Sequence, residues 1–190
     1  MTVETVRIPG YVTGVWVIDP THSEVGFTVR HLMISKVRGA FRAFEGRVVT
    51  AEDPLASSVT ASIDLASVDT GNAQRDEHVR SADFLEVEKY PFMTYRSTGL
   101  RPDGDAFVLD GELTLKGVTR PVPLALELNG IGPDVFRPDV PTGARVGFTA
   151  TGEIDRRDFG ISFNSPIPGG VMLSERIEIT LDIQAALQTD

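Results

Sequence analysis

Arg176-Ile177-Glu178-Ile179-Thr180-Leu181-Asp182-Ile183-Gln184 alternates apolar and polar residues without a break. Successive side chains of an extended chain point to opposite faces, so this stretch predicts a strand with one buried and one wetted face. The same parity recurs in Val59, Ala61, Ile63 and Leu65; in Phe107, Leu109, Leu113 and Leu115; in Val122, Leu124, Leu126 and Leu128; and in Val146, Phe148, Ala150 and Ile154. Pro102-Asp103-Gly104 and Lys116-Gly117 separate such runs and suit tight antiparallel connections, which predicts hairpin-paired neighbours.

Three segments depart from period two. Asn72 to Phe84 is rich in helix formers and follows Thr70-Gly71-Asn72, a cap region, so one short helix is expected there. A helical turn is expected over Leu32 to Lys36. Asn129 to Gly143, with its glycines and prolines, reads as a long loop. The runs amount to about eight or nine antiparallel strands, each with one apolar face. That count permits a sandwich or an up-and-down barrel, and alternation does not choose between them. The interior of a barrel of about eight strands is either filled by side chains or holds one small ligand.

Composition narrows the function. The chain has 190 residues, which favours one domain, and no cysteine, which excludes disulfides, thiolate metal sites and Cys nucleophiles. Its 27 acidic against 18 basic residues leave a charge of −9 without a basic run, so nucleic acid is not expected as a partner. Met1 to Pro20 lacks the apolar core of a secretory signal, and no apolar run approaches the ~20 residues of a membrane span. The expectation is a soluble, cytoplasmic protein without stable membrane insertion.

Catalytic and metal motifs are missing. His22, His31 and His78 match no ligand spacing, so no metal site is expected. There is no G-x-S-x-G or S-x-x-K nucleophile and no phosphate-cradling loop; Asp158-Phe159-Gly160 stands without the other kinase motifs. Parity is more informative. If Val25, Phe27 and Val29 point inward, His31 ends the same row; Arg156 likewise extends the row of Val146, Phe148, Ala150 and Ile154. An inward Arg is costly unless paired with an anion or kept near water. Either Arg156 forms an internal salt bridge, with an acidic helix residue as one partner, and His31 a buried hydrogen bond, or the two mark the polar end of an apolar ligand site. Phe41 and Phe44, three apart, need a bulge to share a face; they either pack in the core or line a tunnel.

Read together, the segments resemble the YceI-like family, bacterial lipocalin-like proteins. Asp19-Pro20-Thr21-His22-Ser23-Glu24-Val25-Gly26-Phe27 with Val29-Arg30-His31 resembles its opening strand, and Gly39 to Gly46 its aromatic second strand. Val68-Asp69-Thr70-Gly71-Asn72, Arg75-Asp76-Glu77-His78, Arg80-Ser81-Ala82-Asp83-Phe84 and Tyr90-Pro91 follow its helix signature. Gly111 to Val122 and Arg156-Arg157-Asp158-Phe159-Gly160-Ile161 extend the match to roughly residues 15 to 185.

The resemblance implies an all-β fold: an extended eight-stranded antiparallel lipocalin-like barrel with one short helix, spanning residues 14–190 after an N-terminal extension, 1–13. It implies a tunnel for an isoprenoid lipid, a polyprenyl phosphate or isoprenoid quinone, in binding, storage or transport, with no catalysis and no cofactor, and it is compatible with a homodimer. Arg75, Asp76 and His78 fall on motif positions near the polar or structural parts of the barrel. Inward rows and resemblance together give an expected ligand-contact set of Phe27, Val29, His31, Phe41, Phe44, Ile63, Leu113, Phe148, Ile154, Arg156, Ile179 and Leu181. The alternatives are an enzyme acting on such a lipid, with His31 as acid or base and Arg156 steadying an anion, or a ligand-free interaction scaffold. Where many members have a short Asp-Pro-Trp-Gly turn, this chain has the longer Gly130 to Gly143 with Phe136 and no tryptophan, so different rim contacts are expected.

Overall fold

The computed structural model describes residues 6–140 and 142–189. Met1 to Thr5, within the expected N-terminal extension, lie outside the described residues. In chain order the strands are β1 (Gly14–Ile18), β2 (Glu24–His31), β3 (Ser35–Phe41), β4 (Phe44–Thr50), β5 (Ser58–Asp64), β6 (Val68–Asp69), β7 (Phe92–Asp103), β8 (Ala106–Leu115), β9 (Val118–Pro121), β10 (Leu124–Pro133), β11 (Ala144–Asp155), β12 (Pro166–Ile167), β13 (Gly170–Val171) and β14 (Leu173–Leu187). Among the described residues one α-helix, α1 (Ala73–Arg80), follows β6.

These strands close a barrel. Hydrogen bonding runs β1–β4–β5–β7–β8–β10–β11–β14 and returns from β14 to β1, all antiparallel. β1 and β2 are successive pieces of one stave, both lying along β14; β3 and β4 form the next, along β2 and β1. Eight staves therefore follow chain order, up and down, and closure removes the free sheet edges a sandwich would leave.

Aspartates interrupt the staves at set places. Four 3₁₀ turns, Pro20–His22, Pro54–Ala56, Leu65–Ser67 and Arg156–Phe159, are each preceded by an aspartate (Asp19, Asp53, Asp64, Asp155) whose carboxylate accepts the N–H two residues on. Phe41 and Phe44 come to the same wall by a break wider than a single bulge: Arg42 and Ala43 leave the ladder, and their N–H groups donate to the Ser67 carbonyl and Oγ.

Bulges re-aim the wall where strict parity would fail. One between Ser97 and Gly99 switches β7 from inward Tyr95 to inward Leu100. Another, between Leu128 and Gly130, switches β10 from Leu128 to Ile131. Asn129 to Pro133 is therefore strand, paired through Gly130–Gly147 and Ile131–Val146, and the expected loop shrinks to the stretch between β10 and β11. Its glycines lie opposite β11, and the carbonyls and N–H groups they leave accessible are satisfied by the ladder.

Two other expectations change. α1 covers Ala73–Arg80 rather than reaching Phe84, because Ser81 caps it: its Oγ and its N–H both donate to the His78 carbonyl. Leu32 to Lys36 is no helical turn. Leu32 and Met33 have φ of 52° and 60°, and Leu32–Ile34 form the three-residue loop of a β2–β3 hairpin closed by the His31–Ser35 pair.

Candidate functional site

The inward rows enclose a cavity of about 520 Å³ that runs through the barrel. Hydrophobic residues pack in two clusters against it. One, around Leu65, Val68, Leu113, Phe159 and Ile161, lies toward the α1 end; the other, around Trp16, Ile18, Ile183 and Ala185, lies where β1 and β14 close the ring. The clusters are flanked by shared wall residues, including Val25, Phe44, Val59 and Leu181, so the core continues into the cavity wall. β14 illustrates the rule: Ile177, Ile179, Leu181 and Ile183, the alternating residues of its sequence, all face the cavity.

All twelve expected contact residues stand on this wall: Phe27, Val29 and His31 from β2, Phe41 and Phe44 from β3 and β4, Ile63 from β5, Leu113 from β8, Phe148 and Ile154 from β11, Arg156 just after it, and Ile179 and Leu181 from β14. Parity missed several others. Ile8 and Tyr11, within the expected extension, line the end opposite α1, where Tyr11 Oη donates to the Ala51 carbonyl at 2.6 Å. Trp16 closes the same end, its Nε1 donating to Thr50 Oγ1 at 2.9 Å. Phe163 and Met172 contribute from the segment after Arg156. No periodicity marks these residues, which lie in irregular chain or a short strand.

Polar wall groups concentrate at the ends. Arg156 is 3% exposed, yet no carboxylate among the described residues bonds it. Its Nε donates to the Ser174 carbonyl at 3.0 Å and its Nη1 to those of Ile161 and Phe163 at 2.9 and 2.7 Å. Of the two alternatives for Arg156, the internal salt bridge is not formed; carbonyls take its place, because the 3₁₀ turn and the chain returning from it wrap the guanidinium in backbone. Burial pushes its pKa down, partly countered by Glu175 and Asp155. Nη2 donates to no protein group among the described residues, and Arg156 lines the cavity.

α1 caps this end by polar contacts rather than an apolar stripe. The buried Asp76 carboxylate accepts from Thr70 N and Oγ1 at 2.8 and 2.6 Å, and Arg80 donates to the Ala66 and Val68 carbonyls. Arg75, bound to Thr70, and His78 both line the cavity and are both exposed, so the cavity reaches solvent at α1. His78 also stacks edge-on against Phe84 and Phe163. Midway along the wall, Tyr95 Oη donates to the Val122 carbonyl at 2.9 Å, and burial pushes its phenol up to about 12. Gly111 makes room for that ring; a Cβ there would collide with it. Among the described residues, no group of three or more His, Asp or Glu side chains is placed to hold a metal.

The geometry is that of a container, with an apolar interior and hydrogen-bond donors at one end. Comparison with known proteins agrees with this architecture. Protein YceI of Escherichia coli O157:H7 is 44% identical over 141 residues, covering 74% of this chain and 71% of that protein. A Campylobacter jejuni YCEI protein structure superposes with a TM-score of 0.71 at 27% identity, covering 84% of this chain and 90% of that one. A polyisoprenoid binding domain from Saccharophagus degradans, implicated in plant cell wall breakdown, shares the fold with a TM-score of 0.67 at 16% identity, over 93% of this chain and all of that one. The family model described as YceI-like domain matches residues 16–185, and the chain belongs to that family.

Proposed function

We propose that the protein binds an isoprenoid lipid inside the barrel, as a carrier or store, with the chain along the apolar wall and the head beside Arg156 and His31. The observation that carries this reading is the cavity itself: continuous, walled by aliphatic and aromatic side chains, and supplied with donors at its α1 end. The Saccharophagus degradans domain of the same fold, a polyisoprenoid binding domain, supports the choice of lipid class. Burying a five-carbon isoprene unit is worth roughly 4 kcal/mol at ~0.8 kcal/mol per carbon, against ~1.5–3 kcal/mol for a hydrogen bond to a charged group. The chain therefore sets affinity, and the head sets orientation. Arg156 Nη2 suits an acceptor head, a phosphate or a quinone carbonyl. The donors of Arg156 that are engaged hold structure rather than a reacting group, which favours binding over turnover.

Native mass spectrometry tests this with a long-chain polyprenyl phosphate and an isoprenoid quinone added from ethanol. A stoichiometric adduct that disappears on denaturation is expected. Protein that stays empty with both ligands would sink the reading. Arg156→Met should weaken the phosphate more than the quinone. It should also lower stability by ~2–3 kcal/mol in thermal unfolding, because two buried carbonyls and a half-buried one lose their donor.

A further inference from the structure

The β2–β3 hairpin carries three local costs that folding does not require. Its tip exposes consecutive apolar residues, Leu32, Met33 and Ile34, the last 83% exposed. Leu32 and Met33 hold left-handed backbone, which disfavours side chains with a Cβ. Below the tip, Arg30 and Lys36 are directly paired across the strands, like charge facing like. In a chain of charge −9, the twenty residues from Val25 to Phe44 contain Arg30, Lys36, Arg38 and Arg42 and no carboxylate. Lys36 reaches Glu178 of β14 at 3.4 Å, and Arg42 reaches Asp69 at 3.1 Å; Arg30 and Arg38 are in no ion pair among the described residues.

Toward the tip the hairpin also has a free outer edge. β3 pairs with β2 throughout but with β6 only at Ala40 and Phe41. The Leu32 N–H donates to the carbonyl of Met172, a cavity-wall residue, at 2.7 Å, and His31 at the hairpin's base faces the cavity. Tip and cavity end are therefore continuous. We infer that this hairpin docks on an anionic lipid bilayer, its apolar tip entering the headgroup boundary and Arg30, Lys36 and Arg38 resting on lipid phosphates, so that an isoprenoid lipid passes directly between membrane and cavity.

Charge complementarity selects this occupant. Apolar tip side chains flanked by cations match the two layers of an anionic membrane surface, and an interface of that kind relieves the like-charge pairing and the apolar exposure together. The remaining surface, net acidic, is repelled, which restricts contact to the hairpin end. The passage of lipid rests on the proposed function; the docking is read separately.

Flotation with vesicles that contain no prenyl lipid tests it. Wild-type protein should float with phosphatidylcholine–phosphatidylglycerol vesicles, and much less with phosphatidylcholine alone. The double variant Met33→Asn, Ile34→Ser keeps a residue tolerant of left-handed backbone and should lose association at least tenfold. Arg30→Glu with Arg38→Glu should abolish the preference for anionic vesicles. Wild-type protein that does not float, or a tip variant that floats as well as wild type, would overturn the inference. A vesicle-free dimer made monomeric by the tip variant would also overturn it, since a second copy would then cover the tip. Protein that floats but takes up no prenyl lipid from ethanol would instead refute the carrier reading and leave the docking surface standing.

Discussion

Two hairpin turns at the same end of the barrel solve one backbone problem differently. The β8–β9 turn, Lys116-Gly117, has φ of 50° and 73°, the left-handed pair that a two-residue hairpin demands. Glycine takes one position, and the other side chain is tied down: Lys116 is 12% exposed and reaches Glu86 at 3.5 Å, while Gly117 packs beneath Tyr90. The β2–β3 turn, Leu32-Met33-Ile34, needs left-handed backbone at two residues as well but has neither glycine nor an anchoring side chain. The first turn is explained by strand pairing and by packing within the fold. The second keeps strained apolar residues in solvent, so its side chains are not there for the fold.

A third loop sharpens the contrast. Between β10 and β11, Val135 and Phe136 are 70% and 61% exposed, yet this loop is anchored. Arg145 donates to Asp134 at 3.0 Å and to Asp19 and Gln184 at 2.7 Å each, and Phe136 lies over the Arg145 guanidinium and stacks on His22. Breaking that anchor should have the largest effect. Arg145→Met leaves the buried Asp134 carboxylate without its ionic partner and should lower Tm by on the order of 10 °C. pH offers a check. Hydrogen bonds from Arg145 hold both carboxyls below the usual carboxylate range, more strongly at Asp19, where His22 adds to the effect. A depressed folded-state pKa contributes stability that is complete above the unfolded value, near 4, and is lost as pH falls through the folded one. Wild-type Tm should therefore drop below about pH 4, and the Arg145→Met profile should be flatter there. Equal slopes would mean that the loop is not anchored by this cluster.

The next effect belongs to the tied-down turn. Gly117→Ala places a Cβ at a φ of 73° and 3.2 Å from Tyr90 Cε1. The left-handed cost alone is ~1–2 kcal/mol, so Tm should fall by about 5 °C. A neutral result would show that Lys116-Gly117 tolerates what the β2–β3 tip tolerates, and would erase the difference between the two turns.

Legibility in the sequence follows the same division. Ile177, Ile179, Leu181 and Ile183 announced their face because period two survives wherever a stave is regular, and the polar row-ends His31 and Arg156 followed by extension. The family resemblance then chose barrel over sandwich. The break between Phe41 and Phe44 was also legible from their spacing; what stayed hidden were places where backbone departs from the local propensity without such a clash. Leu32-Met33-Ile34 looked helical because nothing about three apolar residues suggests left-handed φ. Asn129 to Pro133 looked like loop because glycine and proline mark turns, whereas here Gly130 serves a bulge whose pairing with Gly147 depends on β11. Ile8 and Tyr11 carry no period at all, and the partners of Arg156 are carbonyls, which any sequence supplies and none advertises.

The smallest predicted change decides most between the two turns. Met33→Gly removes a left-handed cost of ~1–2 kcal/mol and gives back ~0.4–1 kcal/mol by loosening the unfolded chain. Met33 is 51% exposed, so little packing is lost with its side chain. The balance is a stabilisation of roughly 0.5 kcal/mol, visible as a small rise in urea midpoint at unchanged slope. The same substitution takes an apolar side chain from the tip, so vesicle association should fall while stability rises. Opposite signs for folding and docking are what separate a residue kept for contact from one kept for structure. If Met33→Gly lowers the midpoint as Gly117→Ala does, the tip is structural after all, and the two hairpins are variants of one solution.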